Sequence, residues 1–394
     1  MIKKLSLAAL VAMGSMSFAS ATPLTEAIKN VNFGGYLRVR IYNDDPKNGS
    51  ATNKYRTTAL FKFSVPVSEE MKFNTAYAFD WSIDSSGTAI NEVNGKTTSP
   101  APAAGNVKFF LQYSKNNLAV LVGKIPVPTP VTATGVGEAT AAGAIATYKV
   151  NDNIVVAAAG LDAMVGTDQV KVGGNNTYAA AVIYKKDALA AQLWYFNVDN
   201  IIDSDIVARV DYKVNGIALH ADYAQADLDD SSLVAAITAK GAAAVIPGVI
   251  GSPKVSKTQT YFNVSASYAQ DQLCGKIGYA QTGKDGGIVT LDHDAPIASV
   301  LPTEQKTGIT DTTDTSAFYA KLGYNVDAKT NVFVAGSFIN DDSSANKDYN
   351  EYMIGAKYKY TKKMGVYAYY SILDASGKAS DDNNEARVEF KYTF

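Results

Sequence analysis

Apolar and polar residues alternate with a period of two along almost the whole chain, and this feature restricts it to half-exposed β-strands. Met71, Phe73, Thr75, Tyr77, Phe79, Trp81 and Ile83 share one face, and Lys72, Asn74, Ala76, Ala78, Asp80 and Ser82 share the other. Leu37, Val39 and Ile41 oppose Arg38, Arg40 and Tyr42; Tyr55, Ala59, Phe61, Phe63 and Val65 oppose Lys54, Arg56, Thr58, Lys62 and Ser64. The pattern continues to the end, where Ala386, Val388, Phe390, Tyr392 and Phe394 oppose Arg387, Glu389, Lys391 and Thr393. Each segment has the length of a strand that crosses a membrane. The alternation predicts about 18 of them, the first centred near Tyr36 and the last near Phe390.

Their connections alternate between short and long. The short ones, such as Asn151-Asp152-Asn153, Asn215-Gly216 and Val326-Asp327-Ala328, carry turn chemistry. The long ones, at 84–106, 125–142, 161–175, 228–256 and 284–313, are rich in Gly, Pro, Ser, Thr, Asp and Asn. Short turns on one side and long loops on the other are the mark of a transmembrane β-barrel. In lipid an open strand edge leaves N–H and C=O groups without partners, so such a sheet must close on itself. The expected fold is therefore an all-β, antiparallel transmembrane barrel with periplasmic turns, long outer loops and both termini in the periplasm. A soluble β-sandwich or propeller does not require this loop asymmetry.

The start of the chain agrees with export. Lys3 and Lys4 precede a short apolar stretch from Leu5 to Phe18, and Ala19-Ser20-Ala21 supplies the small residues of a cleavage site. The stretch is too short to anchor the protein. Residues 1–21 are thus expected to be a signal peptide and 22–394 the barrel domain. Of 36 basic residues, removing Lys3 and Lys4 leaves 34 against 38 acidic ones, a mature formal charge of −4. That balance argues against a nucleic-acid partner. One cysteine excludes a disulfide framework and cysteine-rich zinc modules. The hydrophobic fraction is 47%, yet mean hydropathy is only −0.06, as expected when apolar residues are spread over strands.

The last strand ends on Phe394 with Phe390 and Tyr392 at alternate positions, a pattern similar to the strand that outer-membrane assembly machinery reads. Thr22-Pro23-Leu24-Thr25-Glu26-Ala27-Ile28-Lys29, Gly35-Tyr36-Leu37-Arg38-Val39-Arg40 and Val122-Gly123-Lys124 resemble the Campylobacter-type major outer membrane porins. The resemblance implies a trimeric, water-filled, cation-preferring general porin with an inward-folded third outer loop. It also implies a bacterial outer-membrane location, with outer-membrane lipid, the assembly machinery, and small hydrophilic solutes and ions as partners. The 84–106 loop is a candidate latch onto a neighbouring subunit. Pro126, Pro128 and Pro130 deny the 125–142 segment a regular strand, and its single charge, Glu138, lets it pack inside a lumen.

Enzymatic readings find little support. His220 and Asp222 share the lumen face, but no matched serine or second histidine is evident. His293 reads as a solvated loop residue, and Cys274 as a lumen-facing structural thiol beside Lys276. Gly135-Val136-Gly137 lacks the strand–turn–helix setting of a phosphate loop. Asp227/Asp229/Asp230 and Asp341/Asp342 fall short of a full calcium loop. No cofactor is expected apart from a calcium ion that Glu138 and Asp162 could share at the constriction.

Barrel closure places the last strand beside the first. Arg38, Arg40, Lys54, Arg56, Lys62, Arg387 and Lys391 are then expected to form a basic pore wall. Asp80, Glu138 and Asp162, the last in a stretch similar to an acid-bearing strand end of the porin family, are the candidate opposing acids. The alternatives are a substrate-specific sugar channel and an outer-membrane hydrolase, with an adhesive role for the outer loops able to coexist with transport. A sugar channel needs a lumen-facing aromatic path. Most aromatics fall on the other face, with Trp194 and Phe196 as exceptions. The 233–251 loop, with Lys240 its only charge, is expected to pack on the barrel mouth or a neighbouring subunit.

Overall fold

The computed structural model describes residues 30–84, 91–92, 97–98, 103–133, 138–229, 257–284, 286–343, 347–376 and 382–394. Residues 1–21, expected to be a signal peptide, most of the 84–106 loop, Gly135-Val136-Gly137, Asp230 and the 233–251 segment lie outside them. Eighteen strands form one closed antiparallel sheet. In chain order they are β1 Asn32–Pro46, β2 Thr52–Pro66, β3 Met71–Asp84, β4 Ala103–Lys115, β5 Leu118–Pro126 and β6 Thr140–Lys149. β7 Ile154–Val165, β8 Thr177–Lys186, β9 Leu189–Val198, β10 Ile202–Val214, β11 Ile217–Leu228 and β12 Thr258–Gln270 follow. The last six are β13 Leu273–Thr282, β14 Thr315–Asn325, β15 Thr330–Asp341, β16 Tyr349–Lys359, β17 Met364–Ala375 and β18 Asn383–Thr393. Each strand pairs with its neighbour in sequence, and β18 closes the ring on β1 from Tyr36↔Thr393 to Pro46↔Asn383.

The short turns are built from residues that tolerate left-handed backbone. Asn116, Asp187, Asn215 and Asp271 open two-residue hairpins with φ of 48–54°, and only Asn215-Gly216 has positive φ at both central residues, as type I′ geometry requires. The four-residue turns use side chains as acceptors. Asn151 Oδ1 accepts the Asn153 and Ile154 N–H groups at 2.9 and 3.0 Å, and Asp327 Oδ1 accepts those of Lys329 and Thr330 at 2.7 Å.

The alternating faces separate as expected. Leu37, Val39, Ile41, Tyr77, Ile354 and Phe390 are exposed on the outer surface. Phe394 finishes the closure: its N–H donates to Gly35 O at 3.2 Å, and its ring lies 5.0 Å from that of Phe33. Gly35 has φ 153°, and a Cβ there would run into the Leu60 carbonyl, so only glycine permits this seam.

The apolar core sits inside the barrel. Val127 and Val131 of the third outer connection, Val170 and Val172 of the fourth, and Ile288, Leu291 and Ile297 of the 283–314 connection are buried. They share one cluster with the inward wall residues Leu161, Phe196, Val207, Tyr261 and Tyr319. The loops thus fill the side of the lumen lined by β5–β15. The polar residues remain along β1–β3 and β16–β18.

Candidate functional site: the charged wall and the lumen loops

The register assembles the basic wall. Lys391 lies opposite Arg38, Glu389 opposite Arg40, and Arg387 opposite Tyr42 on the β18–β1 seam. Across β1–β2, Arg56 faces Arg40, Lys54 faces Tyr42 and Lys62 faces Gly34. Four of the seven bases have carboxylate partners. Arg40 Nε donates to Glu389 at 2.5 Å, Arg56 Nη2 to Asp80 at 2.8 Å, and Arg387 Nη2 to Glu304 at 2.8 Å, while Lys54 pairs with Asp44. Among the described residues Arg38, Lys62 and Lys391 have no ion pair. Arg38 and Lys391 instead lie over the Tyr36 ring, at 5.7 and 4.7 Å from its centroid. Compensated charge therefore occupies the outer half of the wall and unpaired positive charge the periplasmic half.

The expected acids are arranged differently. Asp80 faces inward but is 1% exposed, held by Arg56 and by the Thr58 hydroxyl at 2.9 Å. It braces the wall rather than meeting solute. Glu138 is paired with Lys108 of β4. Asp162 is the extra residue of a β-bulge, because Ala142↔Ala163 is followed by Gly143↔Leu161. Leu161 enters the interior cluster, so Asp162 is exposed on the opposite side with Ala158 and Gly160. Asp162 thus keeps the outward phase of Ala158 and Gly160, and the bulge resets the alternation only after it, which corrects the expectation that Asp162 lines the pore. Glu138 and Asp162 do not converge, and no calcium site is proposed on them. Among the described residues no group of three His, Cys, Asp or Glu side chains is arranged for a metal. Asp227 accepts the Thr258 hydroxyl at 2.7 Å, and Asp341 accepts the Ser343 N–H at 2.9 Å; both tie down loop ends.

Other acids gather at the outer end of this wall, and sequence reasoning did not single them out. The 283–314 connection reaches the third and fourth outer connections inside the lumen and docks its tip, Glu304-Gln305-Lys306, on the inner wall of β16–β18. Glu351, buried on β16, accepts the N–H groups of all three tip residues at 3.1, 3.1 and 2.8 Å and the Ser371 hydroxyl at 2.6 Å. Gln305 Nε2 donates to Ser371 Oγ at 2.9 Å, and Tyr367 OH donates to Glu304 at 3.0 Å. Between this tip and the outer ends of β1, β2 and β18 lies a recess of about 550 Å³ lined by Asp44, Lys54, Glu304, Gln305 and Glu385. Asp44 is paired with Lys54 and Glu304 with Arg387, so the recess is acidic by one charge, that of Glu385. The tip's docking was partly legible, since Ala295–Leu301 is an apolar run inside a loop.

The third outer connection packs inward on the same plug. Leu291 N–H donates to Val131 O at 2.9 Å, and Ala133 N–H donates to Asp292 at 3.2 Å. His293, expected to be merely solvated, clamps two loops. Its Nδ1 lies 3.0 Å from Asp168 and its Nε2 3.6 Å from Asp311. Those two carboxylates raise the His293 pKa to about 10. Burial pushes Asp168 up, but the hydrogen bonds from His293 outweigh it and hold the carboxyl at about 2. Burial, and then the charge of Asp168, lifts Asp292 to about 7.

Lumen aromatics exceed the two expected. Tyr36, Tyr42, Tyr367, Tyr369 and Phe333 also point inward, and Arg387 lies over the Tyr367 and Tyr369 rings at 5.3 and 4.7 Å. The His220 site has a serine after all, because Ser265 lies directly opposite on β12. However, His220 Nδ1 is committed to Asp211 at 2.8 Å and Nε2 to Asp222 at 2.6 Å. Neither nitrogen is left to take a proton from a hydroxyl, so the arrangement is not that of a hydrolase triad. Cys274 faces inward, with Asn331 Nδ2 at 3.7 Å.

A family model described as Campylobacter major outer membrane protein matches residues 1–394. No curated protein matches the chain. Among solved structures it is similar to OccAB1 of Acinetobacter baumannii, with TM-score 0.72 and 17% identity over 96% of this chain and 99% of that one. OccK5 (OpdH) of Pseudomonas aeruginosa gives 0.71 and 12% identity over 93% and 98%. At these identities the likeness concerns the fold.

Proposed function

The chain belongs to the Campylobacter major outer membrane protein family, a porin family of the outer membrane, and from that premise we propose a general diffusion pore for small hydrophilic solutes and ions. The acidic recess of Asp44, Glu304 and Glu385 is the observation that carries this reading. Solutes pass between the docked tip at residues 304–306 and the β1–β2–β18 wall. Cation preference arises at this outer mouth, where low-dielectric walls focus the field of the carboxylates. Arg38, Lys62 and Lys391 lower on the wall oppose it, and the field between the two groups orients dipolar solutes. Three chains associate in the membrane, as the family resemblance implies.

A second reading, a sugar-specific channel, is favoured by the inward Tyr36, Tyr42, Tyr367 and Tyr369. Their ring faces are shared with Arg and Lys side chains, which leaves less face for a sugar to stack on. Purified protein in a planar bilayer separates the two. Stepwise, ohmic conductance unaffected by added maltose supports general diffusion. A saturating block by the sugar supports the second reading instead.

A further inference from the structure

Beneath the third outer connection lies a cavity of about 340 Å³ against the inner wall of β5–β9. It is on the loop-filled side of the lumen, away from the acidic recess. Ile145, Leu161, Trp194 and Phe196 line it from the wall, and Val127 and Pro128 cover it. The Trp194 and Phe196 rings are parallel, 5.7 Å apart at an interplanar angle of 2°. Trp194 Nε1 donates to Gln192 Oε1 at 3.0 Å, which fixes the plane of the indole. No charged side chain contributes to the lining. Cavities of this size and character hold small organic ligands, oriented by a few polar groups.

Thr177 is an independent sign of such a ligand. It lines the cavity and is 2% exposed, yet its Oγ has no hydrogen-bond partner among the described residues. A buried hydroxyl left unpaired costs about 1–3 kcal/mol. Rotation about χ1 exchanges its methyl and hydroxyl, and so presents Oγ to whatever occupies the cavity.

We propose that this cavity binds a neutral compound of one or two rings carrying one hydroxyl or N–H group, the ring against Trp194 and the polar atom on Thr177 Oγ. The apolar lining and the indole select the ring. The absence of any counter-charge selects neutrality, because an ion entering would lose its hydration with nothing to replace it. The same ring bearing a carboxylate is therefore rejected. Binding here does not depend on conduction, so the site stands or falls separately from the channel reading.

The chain has two tryptophans, Trp81 and Trp194, so Trp81→Phe leaves Trp194 as the sole indole. The probe is 4-bromophenol at mildly acidic pH, where it is neutral and its bromine quenches an indole in contact. Quenching of detergent-solubilised Trp81→Phe protein should saturate, with 4-bromobenzoate binding at least about tenfold more weakly. Adding Thr177→Val should weaken 4-bromophenol about tenfold, the effect of one hydrogen bond. Adding Ala179→Phe fills the cavity and should abolish the saturable phase; Ala157→Leu does the same with less bulk if the first variant folds poorly. Quenching that rises linearly with probe, or that is equal for phenol and benzoate, overturns the site. Saturation that survives both filled variants overturns it as well, and unchanged affinity in Thr177→Val overturns the polar contact.

Discussion

At Glu351 one carboxylate holds the innermost loop, accepting three consecutive backbone N–H groups and a hydroxyl. Hydrogen bonds to an ionised acceptor are about twice as strong as neutral ones. Glu351→Gln keeps the shape but replaces one acceptor oxygen with a donor, weakening the hold on the tip by about 1–3 kcal/mol. Single-channel recordings of this variant should show larger current noise and a higher mean conductance. Wild-type traces would mean that Gln305 and Glu304 hold the tip unaided. A second residue-scale expectation concerns pH. His293 is raised to about 10, so its contribution to the loop clamp is full below about 6.5 and lost as pH rises toward 10. Asp168 is lowered to about 2, so its contribution is full above the ordinary carboxylate range and lost as pH falls through about 2. Asp292, raised to about 7, favours the folded loops at low pH and loses that contribution as pH rises through 7. Protease cleavage within 283–314 should therefore be slowest in mildly acidic buffer and accelerate toward alkaline pH, with a flatter alkaline limb in His293→Asn. A pH-independent cleavage rate would mean the clamp does not control the loop. None of these partnerships was legible in the sequence, because Asp168 and His293 meet only after two long loops fold into the same lumen.

At the scale of elements the alternation was nearly a complete guide. It separated Arg38 and Arg40 from Leu37 and Val39, and it placed His220 and Trp194 inward. It also put Asp162 outward, in phase with Ala158 and Gly160, and the pore role expected of that acid rested on the family resemblance rather than on the period. It was silent on the loops, whose packing obeys no period. The outer face of β6–β8 differs from the rest of the surface. Ala144 pairs with Gly160, and Ala158 lies between Ala146 and Ala180, so small residues form a continuous patch where other strands carry Leu, Ile, Tyr and Phe. Small residues let backbones approach closely within a membrane. If the trimer forms through this face, Ala144→Leu with Ala158→Leu should weaken it while leaving the barrel intact, since lipid accommodates leucine and a close interface does not. Native mass spectrometry in mild detergent should then show monomer in place of a species of three chains. An unaffected trimer would place the interface elsewhere on the barrel.

For the whole molecule, the lumen is divided in two. One side is filled by the 127–133, 166–176 and 283–314 connections around an apolar core. The other carries a charged wall whose outer recess is acidic and whose periplasmic half holds unpaired bases. Closure of β18 on β1 made the basic wall foreseeable, and the same closure placed Glu389 beside Arg40. The acids of the mouth were not foreseeable, because Glu304 arrives from a loop that packs inside the lumen. The zero-current potential across a KCl gradient tests the central claim most directly. The account predicts that the wild-type pore favours potassium. Neutralising Asp44, Glu304 and Glu385 together should move the potential toward the chloride side, and neutralising Arg38, Lys62 and Lys391 should move it further toward potassium. A wild-type pore selective for chloride, or a potential that neither set of substitutions moves, would contradict it.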